Sequence, residues 1–472
     1  MTVRAQMINP PAAAGVKMVR EGRCMQRAGA WTAVWSPISL ATIAAVLSAE
    51  GIECRVDDCI IESLGAEALL ARARAFKPDL FVINTATPSI EPDLALATTI
   101  KAEFPSALIL AIGIHVTALP RESLALAPGL DAVVKGEPEL TVRDAALAHR
   151  DRKPLTGIPG LHLRGKHGKG NAPEREFADL DALPLPAWEL VKTDLYRLPF
   201  SGRPFLLVGT SRGCPYNCRF CADAAYYGRA LRVKSPERIV AELRHARDRF
   251  GIVDFLFWSE SFTLRRDWTR EVLQEIIRAG LEVRIVCNSR ADQVDPELLE
   301  LMRQAGVWMI GYGLESGSQR ILDLMNKQVT VEQNLQAVLW TRDAGIQVTA
   351  HMVLGYPGET AETIRETIDF ACSLPIDYVQ FYCSVPFPGS RLFQLCLDQE
   401  LFIDQPWELF EQNSSVINTP DLAAAEVMAW RSRAFRRFYL RPRRVWRVLR
   451  EEVGLRGLPR FVRMMWDFRE WT

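Results

Sequence analysis

Short apolar runs alternate with helical patterns in the first part of this chain. Between residues 37 and 150, runs such as Asp79–Asn84 (DLFVIN) and Ala107–Ile112 (ALILAI) are separated by segments with helical spacing of apolar residues. Continuous apolar runs are typical of strands buried on both faces, and intervening helices favour right-handed crossovers between parallel strands. The pattern therefore predicts a doubly wound, Rossmann-like parallel sheet for residues 1–150.

The alternation returns after residues 151–198, whose Pro, Gly and charge-rich sequence indicates a linker. Residues 199–395 then contain six apolar runs with helical patterns between them. The runs are FLLVG (205–209), DFLFW (254–258), EVRIVC (282–287), WMIGYGL (308–314), QVTAHMVL (347–354) and YVQFYCSV (378–385). Because six units are too few to close an eightfold barrel, we expect an open (βα)6 barrel with its chemistry at the C-terminal strand ends. Residues 396–472 are predicted to form a helical C-terminal region.

Composition narrows the class of protein. The formal net charge is zero, with 57 basic and 57 acidic residues, so we expect no nucleic-acid partner. No apolar run reaches the roughly eighteen residues of a membrane span, and the N-terminus lacks the apolar core of a secretory signal, which together favour a cytoplasmic location. The ten cysteines are then expected to be reduced thiols, and a cluster among them indicates metal.

That cluster directly follows the first predicted barrel strand. Cys214, Cys218 and Cys221 have the spacing C-x3-C-x2-C. Three thiolates can hold three irons of a four-iron cluster and leave the fourth iron without a protein ligand, which is the open position that a substrate-binding cluster needs. A structural zinc site needs four ligands, and no fourth Cys or His lies nearby. Zinc and plain thiols are the alternatives to the iron–sulfur cluster.

At these residues the chain resembles the radical S-adenosylmethionine (SAM) superfamily, which also places an aromatic residue, here Phe220, before the last cysteine. The resemblance implies that SAM chelates the open iron and that one electron from the cluster cleaves it to methionine and a 5′-deoxyadenosyl radical. It also implies SAM contacts from Phe220 and, at the ends of later strands, from Glu260, Arg290, Glu315, Ser316 and Gly355. Glu260 lacks the two glycines that precede this acid in the family, Arg290 could equally be a solvated arginine, and Gly355 could lie in an ordinary Pro-Gly turn.

Small polar residues and glycines follow three successive strands of the first part, in NTAT (84–87), GIH (113–115) and GEPE (136–139). Doubly wound sheets bind ligands beyond the C-terminal strand ends, and by this criterion alone a phosphate or nucleotide fits nearly as well as any other ligand. With the barrel following, the arrangement resembles the cobalamin-binding domain of cobalamin-dependent radical SAM enzymes. The resemblance implies cobalamin contacts from Asn84, Thr85, Thr87, Gly113, His115, Gly136, Glu137 and Glu139.

No D-x-H-x-x-G element is present, whose histidine is the lower axial ligand in many cobalamin domains. Its absence implies base-off cobalamin without histidine ligation, or a domain that has lost the cofactor. His115 lies on the wrong element for the ligand role, and we expect it to be a shelf or structural residue. Upstream, the segment 20–24 could close over a cofactor or could be a solvated turn.

By resemblance, the expected reaction is methylation of an unactivated carbon or a phosphinate phosphorus, with cobalamin carrying the methyl group from one SAM and a second SAM making the radical. Oxidative cyclisation, as in the anaerobic magnesium-protoporphyrin cyclase, is the alternative within the same architecture. A tRNA methylthiotransferase would need three further cysteines, for which the unevenly spaced Cys24, Cys54 and Cys59 are the candidates. A catalytically silent cobalamin- or SAM-binding sensor is the alternative from another class.

The expected partners are a small-molecule, lipid or tetrapyrrole-like substrate and an electron donor such as flavodoxin or ferredoxin. Residues 431–450 (RSRAFRRFYLRPRRVWRVLR) are rich in arginine with interleaved aromatics. We expect helices whose apolar face covers the barrel while the arginines stay in water. A peripheral membrane contact is the alternative.

Overall fold

Two six-stranded sheets organise the chain. The computed structural model describes residues 3–12, 15–21, 27, 33–164, 173–198 and 201–441. In these residues each long sheet is flanked by helices, and a separate two-stranded sheet follows the first strand of the second long sheet in chain order. No helix in the described part of the chain is both long and apolar enough to cross a bilayer.

The first sheet is built from the N-terminal part. Its strands are β1 (Arg4–Asn9), β2 (Glu53–Asp58), β3 (Leu80–Asn84), β4 (Leu108–Ile112), β5 (Ala132–Val134) and β6 (Leu161–Leu163), and its helices are α1 (Ile38–Ala49), α2 (Ala66–Phe76), α3 (Ile90–Glu103), α4 (Ile114–Ala118), α5 (Pro120–Leu126) and α6 (Glu139–Arg150). The strand order is β2-β1-β3-β4-β5-β6, so the direction of winding reverses at β1. The carboxyl ends of β1 and β3 therefore flank the crevice in which such sheets bind ligands.

Both faces of this sheet are buried, which explains the continuous apolar runs. Val82 and Leu110 face one hydrophobic cluster, while Phe81 and Ile109 face another on the opposite side. The predicted doubly wound parallel sheet is confirmed. The segment predicted as a linker differs from expectation, because β6 adds an antiparallel edge strand to β5. Its three-residue apolar run is too short to give a strand pattern, and only the exposed edge of β5 supplies it with hydrogen-bond partners.

The second sheet is an open barrel of parallel strands. Its strands are β7 (Phe205–Gly209), β10 (Asp254–Trp258), β11 (Arg284–Ser289), β12 (Val307–Glu315), β13 (Gln347–Leu354) and β14 (Tyr378–Cys383), and its helices are α8 (Pro236–Phe250), α9 (Arg266–Arg278), α10 (Pro296–Gln304), α11 (Gln319–Leu324), α12 (Val331–Asp343), α13 (Ala361–Ser373) and α14 (Arg391–Asp398). These strands follow one another around the sheet in chain order, which confirms the predicted (βα)6 barrel. A short hairpin, β8 (Ser211–Arg212) with β9 (Arg232–Val233), and helix α7 (Asp223–Tyr226) lie between β7 and α8.

Local sequence explains where the barrel helices begin and end. Helix α8 starts at Pro236 because the Ser235 side chain accepts a hydrogen bond from the backbone N–H of Arg238. It ends at Gly251, whose φ of 68° is a left-handed conformation that terminates helices. These caps fix the length of the helix and so the position at which the chain enters β10.

The C-terminal region is less helical than predicted. Between α14 and the last described helix, α15 (Ala424–Tyr439), residues 399–423 contain only a short 3-10 turn at Trp407–Leu409. Helix α15 packs on β14 and α13, as expected of a covering helix. The expectation that its arginines stay in water is wrong for Arg431, which is buried and donates to Phe381 O at 2.8 Å and Asn413 Oδ1 at 2.6 Å. Residues 442–450 of the arginine-rich segment lie outside the described residues.

Candidate active site

A cavity of about 690 Å³ occupies the barrel lumen, and Cys214, Cys218 and Cys221 all lie in its wall. Its remaining walls come from lumen-facing side chains at alternate strand positions, among them Leu256, Trp258, Val286, Asn288, Trp308, Thr349, His351, Gln380 and Tyr382. Because the strands are parallel, their carboxyl ends meet at one rim of the barrel. The cysteine-bearing loop follows β7 at that rim.

The three cysteines lie in a single loop that the β8–β9 hairpin closes. Ser211 pairs with Val233 and Arg212 with Arg232, and the backbone N–H of Cys214 donates to Gly228 O at 3.4 Å. All three thiols are partly exposed. Elsewhere in the barrel, burial raises the pKa of Cys287, Cys383 and Cys396 to about 12, so those thiols stay protonated and are poor ligands.

Within the described residues, no three His, Cys, Asp or Glu side chains converge tightly enough for a single metal ion. A four-iron cluster needs a wider arrangement, because each thiolate binds a different iron. Three accessible thiols on one cavity wall, with open space beside them, fit a cluster that has one iron free of protein ligands.

An acid at the end of β12 and a cation from the loop after α11 face the same cavity. Lys327 Nζ lies 2.7 Å from Glu315 Oε1, and less than a tenth of either side chain is exposed. The pairing of β12 with β13 shifts register between Gly313 and Glu315, and Glu315 has a φ of 62°. This bulge turns the carboxylate inward over Gly313, where a Cβ would clash with Glu315 Oε1 and lie 3.0 Å from Lys327 Nζ.

Arg290 is buried rather than solvated. Its Nε lies 2.9 Å from Asp292 Oδ1, and its guanidinium carbon lies 3.6 Å from the centre of the Tyr216 ring. Burial acts to lower the pKa of Arg290, but the ion pair with Asp292 outweighs it and raises the pKa above its ordinary value. The group is therefore a permanent cation at the cavity wall.

Together, Glu260, Glu315, Arg290 and Lys327 bring two carboxylates and two cations into the cavity that holds the cysteines. An amino acid head group needs this combination, because its ammonium pairs with a carboxylate and its carboxylate pairs with a cation. The donor set therefore fits SAM bound beside the cluster.

Ser316 and Gly355 lie outside the cavity wall. The Ser316 hydroxyl is 2.9 Å from Thr367 Oγ1, and the backbone N–H of Gly355 donates to Glu359 Oε2 at 2.5 Å. Both positions brace strand ends against α13 and its preceding turn. Their contact with SAM stays a prediction.

Glu359 makes the stability of this turn depend on pH. Burial raises its pKa to about 8, so between about pH 4.5 and pH 8 the folded chain keeps a proton that the unfolded chain has lost. Stability therefore falls as pH rises through this window and levels off above it. We expect Glu359→Gln, which keeps an acceptor for Gly355, to reduce that fall by up to a few kcal/mol, at about 1.4 kcal/mol per pKa unit.

Thermal unfolding of the wild type and Glu359→Gln at pH values below and above the window measures this effect. Glu21, whose pKa burial also raises to about 8, leaves part of the pH dependence in the variant. Equal pH dependence in the two proteins would contradict the prediction.

The structure brings the predicted cobalamin shelf together at the ends of β3 and β4. Thr85 Oγ1 donates to Ile112 O at 2.8 Å. Gly113 has a φ of 125°, and a Cβ there would clash with Thr85 O. Only glycine allows this approach of the two strand ends. Asn84 lies beside them and donates to Arg20 O at 3.3 Å.

His115 is a neutral, enclosed side chain. Its Nδ1 lies 3.3 Å from Thr87 Oγ1, and its ring meets Trp407 edge-on at 4.9 Å. Burial lowers its pKa to about 4. This packing agrees with the expected structural role rather than axial ligation, and it ties the C-terminal region to the first sheet.

Two buried oxygens at this edge have no hydrogen-bond partner in the described part of the chain, Asn9 Oδ1 and Glu21 Oε1. A corrin ring carries amide side chains around its edge, so such acceptors fit cobalamin. Arg20, by contrast, is internally paired with Asp93 at 2.7 Å. The rest of the segment 20–24, residues 22–24, lies outside the described residues.

Glu137 and Glu139, predicted as cobalamin contacts, have cationic partners from the barrel. Arg212 pairs with both carboxylates, at 3.2 Å and 2.5 Å, and Arg232 pairs with Glu137. Gly136, with a φ of 74°, makes the turn that presents them. These ion pairs fix both carboxylates between the two parts of the chain, and their contact with cobalamin stays a prediction.

Sequence reasoning missed several polar residues of the lumen. Thr349, His351, Gln380 and Asn288 line the cavity, and Lys327 reaches it from the loop after α11. The signal for the first four was their alternation with apolar residues, as in QVTAHMVL, since a barrel strand exposes every second side chain to the lumen. Lys327 gave no periodic signal.

Known protein families match the two parts of the chain separately. The family model described as the Radical SAM superfamily matches residues 208–371, and the B12 binding domain model matches residues 29–146. An uncharacterised methyltransferase of Pyrococcus horikoshii is 30% identical over 408 residues, covering 86% of this chain and 88% of the relative. The chain belongs to the cobalamin-dependent radical SAM enzymes.

Other members of these enzymes differ in reaction. The anaerobic magnesium-protoporphyrin IX monomethyl ester cyclase of Cereibacter sphaeroides is 28% identical, covering 88% of this chain and 68% of the cyclase. Among solved structures, the cobalamin-dependent SAM radical enzyme OxsB has a TM-score of 0.76 at 16% identity, covering 99% of this chain and 71% of OxsB; it shows the shared fold.

Membership confirms the main predictions. The protein is a radical SAM enzyme with a four-iron cluster, SAM and cobalamin as cofactors, and its relatives include a methyltransferase and a cyclase, as the two expected outcomes require. The methylthiotransferase alternative finds no support in the described residues. Cys54 and Cys59 pack in clusters on opposite faces of the first sheet, and Cys24 lies outside the described residues.

In this cobalamin-dependent radical SAM enzyme, Lys327→Met is expected to weaken SAM binding by about tenfold or more. The change removes a buried cation from the cavity and leaves Glu315 buried without its partner, which is costly. Equilibrium dialysis of SAM against reconstituted enzyme measures the dissociation constant. Lys234→Met is the matched control, because Lys234 is also a buried lysine paired with a glutamate, Glu242, but does not line the cavity. An equal loss of SAM affinity in both variants would refute the assignment.

Proposed function

We propose that the enzyme transfers a methyl group to an unactivated carbon of a small, largely apolar and planar molecule bound in the barrel lumen. The observation that carries this proposal is the continuity of the cavity, which runs from the three cysteines to a wall containing Trp258, Trp308 and Tyr382. When bound, the cluster, SAM and cobalamin supply the electron, the hydrogen-abstracting radical and the methyl group.

The chain's own residues orient the substrate and exclude water. Aromatic side chains give flat apolar walls that favour planar ligands. Two buried polar atoms near the amino-terminal ends of β12 and β13, Trp308 Nε1 and Gln347 Oε1, have no hydrogen-bond partner among the described residues. In the middle of β12, a Cβ at Gly311 would lie 2.5 Å from Asn288 Oδ1 and 3.1 Å from His351 Nε2. The side chains of Asn288 and His351 therefore converge over this glycine. Such sparse polar groups in an apolar pocket fix one orientation of a ligand.

The size of the cavity favours a small substrate over a tetrapyrrole. A volume of about 690 Å³ lies within the roughly 300–1,000 Å³ that pockets use for one drug-sized ligand. Here the same space must also admit the SAM head group beside the cysteines. Methyl transfer to a small molecule is therefore favoured over cyclisation of a porphyrin ester, and the 30% identity to a methyltransferase supports the same choice.

Each cofactor is assigned to its own part of the chain. We assign cobalamin to residues 1–150 and SAM to residues 199–395, with residues 151–198 and 396–472 joining and covering them. A one-electron donor of the flavodoxin or ferredoxin type is required to reduce the cluster. The cytoplasmic location and a membrane contact of the arginine-rich segment stay predictions.

The experiment uses anaerobically reconstituted enzyme supplied with hydroxocobalamin, reductant and SAM carrying a trideuteromethyl group. The probe is a metabolite extract of the source organism, fractionated until one compound raises 5′-deoxyadenosine formation. Mass spectrometry then shows whether that compound has exchanged one hydrogen for the labelled methyl group, which is the expected result. A product that has lost hydrogens without gaining label would overturn methyl transfer in favour of cyclisation. Failure to cleave SAM with an intact cluster would overturn it in favour of the silent sensor.

A further inference from the structure

Four ion-paired side chains join the cysteine loop to the B12-binding domain. Arg212 and Arg232 are directly opposite each other on the β8–β9 hairpin, and the loop between them holds all three cysteines. Both arginines reach Glu137 in the turn between β5 and α6, and Arg212 also reaches Glu139. We call these four residues the interdomain clamp.

The two acids of the clamp are buried, its two arginines are partly buried, and the four charges balance. The exposed fraction is 19% for the Arg212 and Arg232 side chains, 5% for Glu137 and 1% for Glu139. Two cations face two anions, so no charge is left uncompensated, and each acid has at least one bidentate or bridging contact. Buried pairs of this kind add geometric specificity, because any displacement breaks several short contacts at once.

Each arginine also contacts an aromatic ring. Arg232 stacks on the Phe177 ring at 4.1 Å and donates to Tyr227 O at 3.2 Å. Arg212 lies over the ring of Tyr227 at 5.5 Å. Tyr227 belongs to the cysteine loop itself, so both guanidinium groups are packed directly against that loop.

The other end of the clamp leads to the cobalamin shelf. The backbone N–H of Gly136 donates to Thr117 Oγ1 at 3.1 Å, and the Thr117 hydroxyl donates to Gly113 O at 2.8 Å. Gly113 is the strand-end glycine of the shelf. A continuous chain of contacts therefore runs from the cysteines through the hairpin and the β5–α6 turn to the surface expected to hold the corrin.

We propose that Glu137 and Glu139 are positioning residues, which fix the cysteine loop against the B12-binding domain and so set the distance between the iron–sulfur cluster and cobalamin. This role does not depend on whether the reaction is methyl transfer or cyclisation, since both require the two cofactors to face one substrate. It rests on the cofactors of the family and on the contacts of this chain.

The test measures that distance directly. The reduced four-iron cluster and cob(II)alamin are both paramagnetic, so pulsed electron paramagnetic resonance reports the distribution of distances between them in cobalamin-loaded enzyme frozen at a potential at which both forms are present. We expect one narrow distribution in the wild type and a broader or displaced one in the Glu137→Gln, Glu139→Gln double variant. The ratio of substrate product to 5′-deoxyadenosine should fall by about tenfold, within the usual range of coupling between two sites, while iron content and cobalamin content stay unchanged.

Glu242→Gln is the matched control. Glu242 has the same exposed fraction as Glu137, 5%, and also contacts two cations, Lys234 and Arg238, but all three lie within the barrel. It should lose stability without changing the distance distribution. A distribution that is unchanged in the double variant, or one that broadens equally in the control, would overturn the proposal.

Two further outcomes are decisive. Loss of cobalamin from the double variant with the cluster intact would show that the glutamates bind the corrin directly, and would overturn the positioning role. Should the double variant fail to fold, the Arg212→Lys, Arg232→Lys variant replaces it, because lysine keeps the charge but loses the planar fork that pairs with carboxylates. Broadening in that variant would support the clamp, and a wild-type distribution would refute it.

Discussion

Cys218→Ser is expected to abolish SAM cleavage, lowering 5′-deoxyadenosine formation by at least about a thousandfold, the scale seen when an essential catalytic group is removed. Cys218 lies in the cavity wall with Cys214 and Cys221. A cluster held by two thiolates is weakly bound, and serine is a hard oxygen ligand that iron–sulfur clusters disfavour. The readouts are iron content after reconstitution and deoxyadenosine formed with SAM and reductant.

Cys372→Ser is the control for this prediction. Cys372 is also a partly exposed free thiol, but it lies at the end of α13 and outside the cavity wall. It should retain iron and SAM cleavage at the wild-type level. If Cys218→Ser kept a full complement of iron and cleaved SAM normally, the assignment of the triad would be wrong.

Gly213→Ala is expected to prevent assembly of the cluster while leaving all three cysteines in place. Gly213 has a φ of 84°, and a Cβ there would clash with the backbone oxygen of Ala230 and lie 3.2 Å from Tyr227 O. Both oxygens belong to the far side of the cysteine loop, so the hairpin could not close. Left-handed strain of about 1–2 kcal/mol adds to an overpacking cost of about 1–3 kcal/mol.

Gly251→Ala is the control that separates the cost of left-handed strain from the cost of overpacking. Gly251 has a φ of 68°, but a Cβ there would have no heavy atom within 4 Å, so only the strain applies. Urea unfolding should show a loss of about 1–2 kcal/mol in this variant with normal iron content. Gly213→Ala should lose both stability and iron. Equal iron content in the two variants would show that closure of the hairpin is not needed to build the cluster.

The sequence alone determined the alternation of parallel strands and helices in the two long sheets. The limits of β7 and β10 coincide with the apolar runs that predicted them, because a strand covered on both faces must be apolar throughout. The cysteine triad was equally plain, since its chemistry depends on ligands that are neighbours in sequence. Family resemblance then supplied the cofactors.

Only the tertiary structure decided which side chains meet across the chain. Lys327 pairs with Glu315 because the loop after α11 folds back onto the bulge at the end of β12. Neither the path of that loop nor the bulge produces a periodic pattern in the sequence. Ser316 and Gly355 were visible as family motifs, but only the fold shows that they contact Thr367 in α13 and Glu359 in the turn before it.

The role of Glu137 and Glu139 shows the same limit most clearly. Their place at a strand end was visible in sequence, but their partners Arg212 and Arg232 lie more than seventy positions further along the chain. A pattern of residues reports local conformation and the face that is buried. Ion pairs between domains depend on how two finished units dock, and that is settled by the shapes and charges of surfaces that exist only after each unit has folded.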